Sequence, residues 1–208
     1  MAATGTDPPV VGDHNRSARL VVPVLLDAFD PSSVVQFGGD PLWLAEFAAH
    51  GIRTVGVTDQ RRSSSDGWVF ECDWHRSGHL DVGRFDLAVC FELAQHLSPA
   101  RAGWLIDQLC QASGNVAFSA APPSQPCGNA VNKQWPRYWA SRFETAGYQV
   151  TGALRFKLWG WAPAGCEAWC PQNLLIASRE PNRRNRHLFQ SAQADPFAVI
   201  HPAFWEAQ

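Results

Sequence analysis

A chain of 208 residues has room for one domain with a proper hydrophobic core. Charged residues make up 17% of it and the formal net charge is −2, which argues against a general attraction to nucleic acid or to anionic membrane. No apolar run approaches the roughly 20 residues needed to span a bilayer, and residues 1–18 lack the basic start and apolar stretch of a secretory signal.

Residues 1–18 read as a flexible leader and residues 19–180 as the folded domain. The six cysteines are spread without a small-scaffold pattern, as expected for reduced thiols in a cytoplasmic protein. Leu20–Phe29 is apolar and reads as a helix, broken near Pro23 or lying over a ligand site. The run from Ser33 to Phe37 is a strand that ends at Gly38-Gly39. Leu42, Leu44, Phe47 and Ala48 then recur at helical spacing, and Gly51 closes that helix. Thr54–Val57 is the next strand, followed by Asp59. Strand, glycine turn, helix, strand and acid form the opening of a nucleotide-binding α/β sheet.

Arg61–Gly67 is a polar loop, and Trp68–Cys72 is a short strand before Asp73. Phe85–Cys90 reads as a further strand. Ser98 and Pro99 supply an N-cap and a first helical residue for a helix to about Gln111. Strand Asn115–Ser119 leads into a long loop with Pro122, Pro123, Pro126 and Gly128. A helix over Pro136–Thr145, a strand over Tyr148–Arg155 and a last strand over Leu174–Ala177 complete the domain. Strands alternating with helices predict a doubly wound, mostly parallel sheet with helices on both faces. Residues 181–208 form an extension. Its Pro196–Trp205 stretch is too apolar for a free tail and is expected to dock on the body or on a second subunit. A homodimer or a protein partner through that segment is therefore part of the reading.

Four segments in this order resemble the class I S-adenosylmethionine-dependent methyltransferases: VVQFGGDPLWLAEFAAHGIRTVGVTD, FDLAVCFELAQHLSP, FSAAPPSQPCGNAVNKQWPRYWASRFETAGYQV and WCPQNLLIAS. The last two are similar to a bacterial small-molecule subgroup. The resemblance covers roughly Val34 to Ala177. It implies a seven-stranded Rossmann-like sheet with an antiparallel last strand and S-adenosylmethionine as cofactor. It also implies methyl transfer to a small organic acceptor, as in specialised metabolism. Carried over by position, Gln36, Gly38, Gly39 and Asp40 would meet the methionine moiety and Asp59 the ribose. Asp73 and Trp74 would lie beside the adenine, and Cys90 and Phe91 on the floor near the methyl group. Glu92 and His96 are the candidate proton acceptors. Asn132, Gln134, Trp135 and Tyr138 would line or support the acceptor side, with Trp139 in the core.

The chain departs from the family pattern at several of these positions. Gln36 replaces the usual acid, and Asp40-Pro41 stands where glycines are common. Thr58 occupies the usual place of the ribose acid, Ala130 replaces a histidine, and Gln95-His96 replaces Glu-His. Weakened cofactor binding is expected, tightened again by Gln36→Glu. The alternative is a methyltransferase-fold protein that has lost methyl transfer and binds a ligand or partner, or runs another reaction in the same pocket. Cys72, His75 and His79, with Cys166 and Cys170, have metal-like spacing but match no common structural zinc pattern, so no metal is expected.

Overall fold

The computed structural model describes residues 14–59, 68–123, 125–159 and 165–190. The Pro196–Trp205 stretch, the Arg61–Gly67 polar loop and Trp161 lie outside these residues. In chain order the elements are α1 (His14–Phe29), β1 (Ser33–Phe37), α2 (Pro41–Ala49), β2 (Arg53–Thr58), β3 (Trp68–Glu71) and β4 (Leu87–Phe91). A short 3₁₀ turn (Ala94–His96), α3 (Pro99–Ala112), β5 (Asn115–Ser119), α4 (Pro136–Thr145) and β6 (Gln149–Thr151) come next. The described chain ends with α5 (Ala153–Leu158), α6 (Trp169–Asn173), β7 (Leu175–Ser178) and α7 (Arg186–Gln190).

The seven strands lie in the order β3-β2-β1-β4-β5-β7-β6. The first five are parallel, and β7 runs antiparallel between β5 and β6. The chain winds outward from β1 through β2 to β3, then returns to β4 on the other side of β1. That reversal opens a crevice beyond the carboxyl ends of β1 and β4, where open α/β sheets bind ligands.

Strand side chains alternate between two cores, as the period of two requires. Val35, Phe37, Ala88, Cys90, Val116 and Phe118 pack with Leu105, Ile106 and Leu109 of α3 and with Trp139 and Phe143 of α4. Val34, Leu87, Val89, Phe91 and Ile176 face Val21, Val22 and Leu25 of α1, Trp43 and Phe47 of α2, and Leu154 and Leu158 of α5. At the opposite edge of the sheet, away from the crevice, Asp86 clasps the start of β1. Its Oδ2 accepts from the backbone N–H and hydroxyl of both Ser32 and Ser33 at 2.6–3.0 Å. The Ser32 hydroxyl, then Ser33 and the backbone amides, hold the Asp86 carboxyl below its ordinary range despite partial burial.

Three boundaries differ from the sequence reading. Helix α1 begins at His14 and runs through Pro23 without a break, so residues 14–18 belong to it, and Ser17 and Ala18 are buried. The strand expected over Tyr148–Arg155 stops at Thr151, whose Oγ1 accepts from the Ala153 N–H at 3.0 Å and starts α5. The four-residue spacing of Leu154 and Leu158 then turns both into the core on one helical face. The last strand is preceded by helix α6, which carries Asn173. In the extension, α7 packs Phe189 into the α1-side core.

Candidate functional site

Strand β1 ends in a turn that only glycine adopts without strain. Gly38 and Gly39 have φ of +64° and +78°, in the left-handed region. The Gly38 N–H donates to the Val57 carbonyl at 2.8 Å, so the turn continues the β1–β2 ladder. A Cβ on Gly38 would meet Leu93 Cδ2 at 2.7 Å, and one on Gly39 would meet Gln36 Nε2 at 3.2 Å. The turn is thus closely covered on both sides. Asp40 does not turn inward: its Oδ1 accepts from the Leu42 N–H at 2.9 Å and caps α2, with Pro41 at the first helical position.

Beside this turn lies a cavity of about 370 Å³ lined by Gln36, Gly38, Gly39, Pro41, Leu44, Gly56, Val57, Thr58, Asp59, Trp74, His75, Leu93, His96 and Leu97. Its size falls in the range of small-molecule pockets, roughly 300–1,000 Å³. Of the residues singled out from sequence, Gln36, Gly38, Gly39, Asp59, Trp74 and His96 come together here. Pro41, Thr58 and His75, which the sequence marked for other reasons, also line it, and Leu44, Gly56, Leu93 and Leu97 join them unanticipated, because such residues at strand and helix ends read as core.

The remaining candidates lie elsewhere. Asp73 is exposed, and its Oδ1 accepts from the His75 N–H at 2.9 Å, so it shapes the turn that carries Trp74 and His75. Cys90 is fully buried against α3 and α4, and burial pushes its thiol far up. Phe91 faces the opposite core, its ring 4.7 Å from Trp43 and 5.9 Å from Trp169. Neither Cys90 nor Phe91 lines this cavity.

Glu92, at the end of β4 with φ +53°, sits in a network of amides. Gln125 Nε2 donates to its Oε2 at 2.9 Å and Gln95 Nε2 to the same oxygen at 3.2 Å. Asn173 Nδ2 donates to Oε1 at 3.0 Å and to Gln125 Oε1 at 2.7 Å. Burial raises the Glu92 carboxyl to about 7, with the Asn173, Ser119 and Gln125 bonds opposing. Both carboxylate oxygens are engaged, so Glu92 ties the β4 loop to the 120s loop and α6. His96, on the next turn, reaches the cavity, and its Nε2 lies 3.7 Å from Cys127 Sγ.

In the segment expected to form the acceptor side, the Val131 and Asn132 N–H groups both donate to the Gln95 carbonyl at 2.9 Å. This docks the 120s–130s segment on the β4 loop. The buried Asn132 accepts through Oδ1 from Gln134 Nε2 at 3.2 Å. The Tyr138 hydroxyl accepts from Arg142 Nη2 at 2.6 Å. Trp135 is 37% exposed and Trp139 only 1%. These four expected acceptor residues flank the β4 loop through Asn132 rather than lining the described cavity. Among the described residues no group of three or more His, Cys, Asp or Glu side chains could hold a metal ion. No described helix is long and apolar enough to cross a membrane.

No protein-family model and no curated protein sequence matches the chain. Solved structures do. The magnesium protoporphyrin IX methyltransferase of Synechocystis PCC 6803 with bound S-adenosylhomocysteine is similar over 80% of this chain and 84% of that one, at TM-score 0.55 and 16% identity. A SAM-dependent methyltransferase from Archaeoglobus fulgidus is similar over 81% and 95%, at TM-score 0.55 and 12% identity. The Burkholderia thailandensis 1,6-didemethyltoxoflavin-N1-methyltransferase, solved with that acceptor and S-adenosylhomocysteine, is similar over 81% and 78%, at TM-score 0.52 and 16% identity. Together with the strand order and the antiparallel β7, these likenesses identify the fold of this chain as that of the class I S-adenosylmethionine-dependent methyltransferases.

Proposed function

We propose that the protein transfers a methyl group from S-adenosylmethionine to a small organic acceptor, in the cytoplasm and in a biosynthetic setting. The observation that carries this reading is the cavity at the carboxyl ends of β1 and β2. It joins a left-handed Gly38-Gly39 turn to Asp59 and Trp74 in a sheet of methyltransferase order. The residues present fit the donor. The glycine turn permits close backbone approach. Gln36 Oε1 is buried without a partner and can accept from an ammonium. Asp59 can take a ribose hydroxyl pair, and Trp74, Leu44 and Leu97 give apolar area for a base. S-adenosylmethionine supplies an electrophilic methyl group when bound. The protein then has to align the acceptor and, for an N–H or O–H acceptor, remove one proton. His96 is assigned that proton because it lines the cavity, whereas the oxygens of Glu92 are held by amides. Asn132, Gln134, Trp135 and Tyr138 are assigned to the acceptor side because the Asn132 N–H, with that of Val131, docks their segment on the Gln95 carbonyl.

A second reading has a specific observation behind it. Gln36 spends its amide protons on the Gly38 and Asp40 carbonyls, and Leu93 packs over Gly38. Both changes reduce room and charge at the methionine end, as in a fold kept for binding without methyl transfer. Calorimetric titration with S-adenosylhomocysteine, followed by incubation with methyl-labelled S-adenosylmethionine and a panel of small acceptors, separates the two. Binding with label transfer supports methyl transfer. Binding without transfer to any acceptor supports the second reading, and absence of binding overturns methyl transfer from S-adenosylmethionine in this cavity.

A further inference from the structure

The loop from Cys72 to Leu80 carries Trp74 and His75 into the cavity wall, and helix α3 grips that loop by its backbone. Arg101 Nε donates to the Trp74 carbonyl at 2.7 Å and Nη2 to the Ser77 carbonyl at 3.0 Å. Trp104 Nε1 donates to the Gly78 carbonyl at 3.0 Å. Gln108 Oε1 accepts from the Leu80 N–H at 2.7 Å. Residues 101, 104 and 108 are spaced three and four apart, so they share one face of α3. The Arg101 guanidinium also stacks on Trp104, its carbon 3.9 Å from the ring centroid, which limits the fork to a narrow set of orientations. The helix is itself fixed by Ser98, whose hydroxyl accepts from the Arg101 N–H, and by Leu105, Ile106 and Leu109 in the core.

Locally the loop is a turn closed on Asp73. The Arg76 and Ser77 N–H groups donate to the Asp73 carbonyl, and the Asp73 N–H donates to Ser77 Oγ. That turn sets the shape of the loop but not its place against the sheet. Among the described residues, the Cys72 N–H bond to Thr58, the packing of Cys72 and Trp74 in the core and the bonds from α3 place it. None of the three α3 side chains lines the cavity.

We infer that Arg101, with Trp104 and Gln108, forms a clamp that positions the Trp74–His75 wall for the base of the nucleoside ligand, making Arg101 a positioning residue for donor recognition. This rests on the reading of the cavity as a nucleoside site. A preformed wall spares the ligand the cost of ordering a loop, so the clamp acts on affinity for the nucleoside half and not on the acceptor side.

The test uses the full-length protein and its Arg101→Ala, Arg101→Lys and Trp104→Phe variants. S-adenosylhomocysteine and adenosine are titrated into each by calorimetry, and amide hydrogen exchange over residues 73–80 is followed without ligand. Arg101→Ala is expected to weaken both ligands in parallel by about tenfold or more, the loss of charge-assisted bonds. Arg101→Lys should restore part of the loss, since an ammonium reaches one of the two carbonyls. Trp104→Phe keeps the ring under the guanidinium and should cost less. Exchange should quicken over residues 73–80 and not in β1 or β4. If Arg101→Ala does not fold, the other two variants carry the same comparison. Unchanged affinities, a loss for S-adenosylhomocysteine without one for adenosine, or unchanged exchange would overturn the clamp. A wild-type protein that binds neither ligand overturns the nucleoside reading instead, and the exchange rates then decide the clamp alone.

Discussion

The side-chain amide of Gln36 donates to the carbonyl of Gly38 at 2.7 Å, and to that of Asp40 at 2.9 Å, so the residue in place of an acid holds the turn from beneath. Two carbonyls need a donor, and a carboxylate has none. Gln36→Glu is therefore expected to destabilise the protein by about 1–3 kcal/mol, the usual cost of unmaking buried hydrogen bonds. It should also fail to tighten S-adenosylhomocysteine binding. This reverses the expectation from sequence, where only the lost charge could be weighed. Denaturant unfolding and calorimetry of the variant check both halves, and tighter binding at unchanged stability would show that the turn rearranges to present N–H groups.

Asp59 follows β2 directly and lines the cavity. If it accepts the ribose hydroxyls, Asp59→Ala removes charge-assisted bonds of about 1.5–3 kcal/mol and weakens S-adenosylhomocysteine roughly ten- to hundredfold. Thermal stability should stay near wild type, because the side chain is exposed in the free protein.

Trp135 and Trp139 are one helical turn apart with opposite fates. Trp139 packs 5.4 Å from Phe118 and 4.9 Å from Tyr138 by ring centroids, so Trp139→Ala should cost about 3–5 kcal/mol. Trp135→Ala should leave the melting temperature nearly unchanged and lower turnover of an accepted substrate. Equal loss of stability in both would remove the acceptor-side role from Trp135.

The Glu92 carboxyl titrates near 7 in the folded protein, against an ordinary value of 4.5, because burial opposes its charge. A raised folded value means that the contribution of Glu92 to stability is full below pH 4.5 and is lost as pH rises toward 7. Melting temperatures measured across that interval should therefore carry a declining component in wild type that Glu92→Gln lacks. Identical pH slopes in the two proteins would show that the carboxyl is not held in this way.

Most of the strands and the mostly parallel sheet were legible because short apolar runs alternate with helical segments, and the antiparallel last strand followed from the resemblance. The Ser98-Pro99 and Trp135-Pro136 helix starts were legible because capping is a local matter. Side-chain destinations at strand ends were not. Cys90 and Phe91 are neighbours whose side chains must part to opposite faces, and the motif alone does not say which face holds Trp43 and Trp169. Glu92 reads as a candidate base because two of its three amide partners, Gln125 and Asn173, are 33 and 81 residues away in sequence. Leu93 and Leu97 look like ordinary core residues until the glycine turn is folded against them.

The position of β7 between β5 and β6 separates the cavity from the Glu92 network in chain order. Every residue lining the cavity lies between Gln36 and Leu97, on strands that can pair in the order in which they emerge. The Glu92 network cannot close until Asn173 is delivered by α6, immediately before β7 inserts between two strands made earlier. Such non-local pairing is slow. The segment that lines the cavity is thus complete in the sequence well before the strand whose insertion accompanies closure of the Glu92 network.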